Sequence, residues 1–224
     1  DTVVVPSGVN LAPGGGLTLT GALAVDGGTV KLDGNYPVGT DNVALGNTAL
    51  DSVEAGGINN VAIGDNAGTA ITTGDNNVAV GKDALTTDTT GIDNVAMGTD
   101  ALKLNTTGGA NTALGKGALE SNTTGPQNTS IGSASMAGNT TGGNNIAIGR
   151  NALRCNTTAN RNVAVGTCSL CVNTTGAENI AVGFCSLKAN TTASSNTAVG
   201  SFSLTANTTG CQNVAVGTCS LNAN

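Results

Sequence analysis

The chain has 224 residues, 34 of them Gly, with no Trp, no His, one Tyr and two Phe. Aromatic residues make up 1% of it, so any core has to come from thin layers of Ala, Val, Leu and Ile. An apolar fraction of 38% with a net charge of −6 argues against disorder, and no basic stripe of the kind a nucleic-acid-binding rod carries is visible.

Residues 1–41 form a first region without an obvious repeat. Val3-Val4-Val5, Leu17 to Thr20 and Thr29 to Leu32 read as short strands, separated by Pro- and Gly-containing turns such as Pro13 to Gly16 and Asp33-Gly34-Asn35. A cap or an upstream shaft segment is the expected role, because a stack of coils needs an atypical end. Asp1, with neither an initiating Met nor a signal peptide, reads as a processed or trimmed start.

From residue 42 to 224 the chain repeats. An Asn-apolar-small-apolar-Gly pentapeptide begins at Asn42, Asn60, Asn77, Asn94, Asn111, Asn128, Asn145, Asn162, Asn179, Asn196 and Asn213, so the first spacing is 18 residues and every later one is 17. Chance does not give that regularity, and a fixed short period is the mark of a solenoid. Counting from the Asn, position 3 is Ala in every copy but Ser130, position 5 is always Gly, and position 9 is Leu except at Gly68 and Met136. Positions 12 to 15 usually read Asn-Thr-Thr-Gly, as at Asn105 to Gly108.

Each unit therefore predicts one coil with two short strands and two turns. Asn162 to Gly166 alternates with period 2, as a strand does. Thr167 to Leu170 supply the second strand, and Asn173 to Gly176 the closing turn. The expected architecture is all-β: a parallel β-roll or β-solenoid of about eleven 17-residue coils, each stacked about 4.8 Å above the last. The second repeat, with Gly68 and Ile71 in place of Leu and Asn, reads as part of the transition from the first region. Asn224 falls where another Asn-Thr-Thr-Gly turn would begin, so the repeat is expected to continue beyond it.

A coil this thin leaves two arrangements open. In one, Ala164 faces Ser169 inside and Val163, Val165 and Leu170 form an outer apolar stripe. In the other, the large residues fill the interior and the Ala column becomes a flat outer face. Either leaves a long apolar surface, which predicts a homo-oligomer of parallel chains. Asn columns at positions 1 and 12 are expected to stack into hydrogen-bonded ladders.

Catalytic chemistry finds little support. Without His the usual triad base and the commonest transition-metal ligand are missing. Acidic residues such as Asp65, Asp83 and Asp100 occupy polar loop positions, and no phosphate-binding loop is present. Arg150, Arg154 and Arg161 read as solvated surface charge. The six Cys are 155, 168, 171, 185, 211 and 219; Cys168-Ser-Leu-Cys171 has C-x-x-C spacing, while Cys168, Cys185 and Cys219 share position 7. A variable ladder position explains them most simply, with Cys168 and Cys185 close enough for a disulfide. No catalytic, cofactor-binding or metal-ligating residue is predicted, no cofactor is called for, and the chain is not expected to be an enzyme. Seven Asn-Thr-Thr sites, including Asn139 and Asn173, match the N-glycosylation acceptor. No segment approaches the ~20 apolar residues of a membrane-spanning helix, and no membrane insertion is expected.

The Asn-Val-Ala-Val-Gly-x-x-Ser-Leu unit, as at Asn162 to Leu170, resembles the head repeats of trimeric autotransporter adhesins. The form ending in Asn-Thr-Thr-Gly is similar to repeats in tail-fibre proteins of marine and cyanobacterial phages and in some algal-virus surface proteins. The resemblance covers residues 42–224. It implies a left-handed parallel β-roll, a homotrimer about one axis, and attachment to a host surface glycan or receptor through parts not present in this chain. The expected function is then the structural or adhesive shaft of a fibre on a virion surface, with an extracellular or cell-surface adhesin head or filament as the rival. An ice-binding solenoid is a remote third reading, since the adjacent Thr106 and Thr107 should face opposite ways.

Overall fold

The computed structural model describes residues 41–54 and 56–222; the strands and turns expected within residues 1–40 lie outside them. The described chain is an all-β solenoid with one strand per coil. The strands are β1 (Val43–Leu45), β2 (Val61–Ile63), β3 (Val78–Val80), β4 (Val95–Met97), β5 (Thr112–Leu114), β6 (Thr129–Ile131), β7 (Ile146–Ile148), β8 (Val163–Val165), β9 (Ile180–Val182), β10 (Thr197–Val199) and β11 (Val214–Val216). They form one eleven-stranded sheet in sequence order, every neighbour parallel. Register follows the repeat: Ala147 stacks on Ala164 and Ala164 on Ala181. Below, coils are numbered from their Asn, coil 1 at Asn42 and coil 11 at Asn213.

The expected second strand is absent, and its residues form a turn. Thr167 to Leu170 carry left-handed conformations at Cys168 (φ 56°) and Leu170 (φ 48°), and positions 7 and 9 repeat this in every described coil. An extended strand sends successive side chains to opposite faces. Here the left-handed residues fold the chain back on itself, so Ser169 and Leu170 both point inward and both are fully buried. Leu170 therefore belongs to the core and not to an outer stripe, which corrects the first arrangement above. The second is corrected too, since the small and the large residue share the interior.

Hydrogen bonding compensates for the lost strand. In this turn the position-9 N–H donates to the position-8 carbonyl of the next coil, as Leu153 does to Ser169 at 3.0 Å. The position-7 N–H donates backward to position 6, as Cys168 does to Arg150 at 3.0 Å. The turns thus bond coil to coil much as the sheet does. Gly at position 5 is required by the same closeness: Gly166 has φ 133°, and a Cβ there would lie 2.5 Å from the Gly183 carbonyl oxygen.

Each coil's interior has an apolar half and an amide half. Ala at 3, Ala or Ser at 8 and Leu at 9 make the apolar half, continuous from Ala49 and Leu50 to Leu204 and Ala215. Ser130, the one departure from Ala at position 3, is buried and satisfied by donating to the Ser135 carbonyl at 2.8 Å. The amide half is two Asn ladders. At position 1, Asn94 Nδ2 donates to the Gly108 carbonyl (2.8 Å) while its Oδ1 accepts the Asn111 N–H (3.0 Å). At position 12, each Nδ2 donates to the Oδ1 one coil earlier, as Asn139 does to Asn122 at 2.7 Å. Among the described residues no buried side-chain polar atom lacks a partner.

Candidate functional site

The sheet has one face in the core and one outside. Position 3 points inward, so positions 2 and 4 point out and build two columns that run the full eleven strands. Column 4 reads Leu45, Ile63, Val80, Met97, Leu114, Ile131, Ile148, Val165, Val182, Val199 and Val216, without one polar residue. Column 2 is Val or Ile except at Thr112, Thr129 and Thr197. Neither column holds a charge. Leu45, Ile63, Met97, Ile146, Ile148 and Ile180 are each more than a third exposed. β-branched and aliphatic side chains on a three-residue strand give a flat strip, about 50 Å long at ~4.8 Å per strand.

Charged side chains lie off this strip, since neither of its columns holds one. Among the described residues no three Cys, Asp or Glu side chains are placed to hold a metal ion. Arg150, Arg154 and Arg161 are all exposed, and Arg161 pairs with Glu178 at 3.3 Å. Asp65 and Lys82 stack one coil apart at 3.8 Å, and Lys103 holds Asp100 at 2.8 Å. These are solvated pairs of small energetic weight.

No family model, curated protein or solved structure matches this chain. The functional reading therefore rests on its own geometry.

The seven Asn-Thr-Thr asparagines, 105, 122, 139, 156, 173, 190 and 207, are the position-12 ladder, and all are buried. The nitrogen that would carry a glycan is the ladder's hydrogen-bond donor, so the folded coil offers it to no enzyme. Thr106 and Thr107 do part company. Thr106 is half-buried with Oγ1 donating to the Thr123 carbonyl at 3.0 Å, and Thr107 is exposed. Position 14 thus presents one Thr column, not two parallel rows.

One functional-looking residue escaped the sequence reading. Asp88 occupies position 12 of coil 3, fully buried at the foot of the Asn ladder. Its carboxylate accepts from Asn105 Nδ2 (2.7 Å), Asn94 Nδ2 (3.3 Å) and the Gly91 N–H (2.7 Å). Burial pushes its pKa up to about 6, against the lowering effect of the Asn105 and Gly91 hydrogen bonds. Its place in the Asn column was the available signal. Its neighbour in the preceding coil, Ile71, donates nothing, and a carboxylate needs only donors.

Proposed function

We propose that this chain is a structural or adhesive rod segment: a fibre shaft that assembles with copies of itself, of the kind that holds a host-attachment device away from a virion or cell surface. The uncharged two-column strip carries this reading. A strip three residues wide and about 50 Å long covers roughly 500 Å² before side-chain relief is counted. An exposed apolar patch of that size marks an interaction surface.

A second copy laid parallel and in register meets the same column at the same ~4.8 Å repeat on every rung. That match favours parallel self-association over capture of an irregular partner. A homotrimer is the arrangement implied by the resemblance to trimeric adhesin heads, and a virion tail fibre by the resemblance to phage repeats. Stiffness suits the role, since the sheet, the turns and both Asn ladders each carry hydrogen bonds from coil to coil along the rod axis.

Two paired variants test the reading. Ile148→Asp with Val165→Asp places charge on two adjacent rungs of the strip. Thr141→Asp with Thr158→Asp does the same on the exposed turn column. Circular dichroism should be unchanged in both, and on a sizing column only the strip variant should fall to monomer. A strip variant that elutes with the wild type would overturn the proposal.

A further inference from the structure

Three thiols meet where coil 8 stacks on coil 9. Cys168 and Cys185 share position 7, and their N–H groups donate to the position-6 carbonyls of Arg150 and Thr167, both at 3.0 Å. This common register sets their Cα atoms about 4.8 Å apart, within the range a disulfide spans. Cys171 follows three residues after Cys168 in the same turn. Negative charge on Cys168 would raise the pKa of both Cys171 and Cys185, so its sulfur lies close to both. Cys171 and Cys185 are buried and Cys168 is half-exposed, and all three are free. Burial pushes the Cys171 thiol up to about 11 and raises that of Cys185 as well. The two buried thiols are therefore poor first nucleophiles toward anything arriving from solvent.

We propose that Cys168 is the hub of a single disulfide, the cysteine that meets the oxidant and then bonds to either Cys185 or Cys171. The oxidant is a low-molecular-weight disulfide such as oxidised glutathione. The Cys168 thiolate attacks one of its sulfurs, forming a mixed disulfide and releasing one thiolate. Cys185 or Cys171, after giving its proton to water, attacks the Cys168 sulfur and releases the second thiolate. Two protein thiols are oxidised, one small disulfide is reduced to two thiols, and the released thiolates take up the protons. A bond to Cys185 staples coil 8 to coil 9, whereas a bond to Cys171 closes within one turn. The thiol left over lies beside the bond, so exchange moves the staple without further oxidant.

Peptide mapping of the full chain tests this. The native protein is incubated with oxidised glutathione and its remaining thiols are alkylated. Cleavage after Arg161, Glu178 and Lys188 then separates Cys168 and Cys171 from Cys185. Every oxidised wild-type molecule should carry one bond that includes Cys168, either joining the two peptides or lying within the first. Cys168→Ser, tolerated at a position that elsewhere holds Thr48, Asn151 or Ala134, should leave Cys171 and Cys185 both alkylated. A bond to Cys171 or Cys185 that omits Cys168, or full alkylation of the three wild-type thiols, would overturn the proposal.

Discussion

Coils 1 and 2 solve the same packing problem as coils 4 to 10 with opposite chemistry. Position 12 is Val53 and Ile71 in the first two coils, and from Asn105 to Asn207 it is an unbroken Asn ladder. All of these side chains are buried. In coil 2 the apolar choice also repairs a gap. Gly68 stands where Leu fills the other coils, and the Ile71 Cδ1 lies 3.0 Å from where a Cβ on Gly68 would be. The position thus accepts methyl groups or amides, provided each column satisfies itself. The border is the difficult coil, and there the residue is Asp88. An amide ladder donates in one direction along the rod, so its first member faces a donor above and hydrocarbon below. A carboxylate accepts from above and has no N–H to leave unpaired below.

Substitutions can break this comparison to different depths. The largest effect is expected where the two regions do not differ at all. Gly64→Ala in coil 2 and Gly166→Ala in coil 8 each drive a Cβ into the next coil's backbone, at 2.6 Å and 2.5 Å from a carbonyl oxygen. Each should cost about 4 kcal/mol or more in chemical denaturation, because backbone cannot yield as a side chain can. Equal losses on both sides would show that the turn, and not the ladder, sets the stacking. Next comes the ladder. Asn139→Leu strands one N–H of the Asn156 amide and the Asn122 Oδ1, both of which Asn139 now pairs. Two buried orphans predict a loss of about 2–4 kcal/mol. Ile71→Val, in the apolar part of the same column, should cost only about 1 kcal/mol. Similar losses at both would mean that the amides contribute little beyond their volume.

Asp88 gives the one effect that depends on pH. Its folded pKa of about 6 lies above the ordinary value of 3.8, so the folded protein binds this proton more tightly than the unfolded chain. The stability so gained is fully present below the unfolded pKa and is lost as pH rises through about 6. The protein should therefore be more stable near pH 4 than near pH 7, by up to about 3 kcal/mol from this group. Asp88→Asn extends the ladder by one amide and should remove that difference. Thermal melts of both proteins across this interval measure it, and an equal pH dependence in the two would sink the assignment.

The sequence made the period, the strand and its alternation legible because each depends on local pattern, while it left open which face turns inward. Val163, Ala164 and Val165 point where period 2 places them, and both Asn columns stack as repetition requires. The second turn was illegible for a physical reason. Leu and Cys rarely adopt a left-handed conformation, so Cys168 to Leu170 read as extended when they are coiled. Once position 9 turns inward the outer strip loses Leu170 and keeps positions 2 and 4 alone. The Gly68 and Ile71 exchange was visible as two irregularities, but only stacking joins them into one repair. The sequon was legible as a motif, while its burial belongs to the ladder.

Self-association through that narrower strip is the central claim, and sedimentation equilibrium of the wild-type chain tests it most directly. The account predicts a single assembled species at about three times the 21.5 kDa chain mass, stable to dilution. A single species of 21.5 kDa across the same concentrations would contradict it.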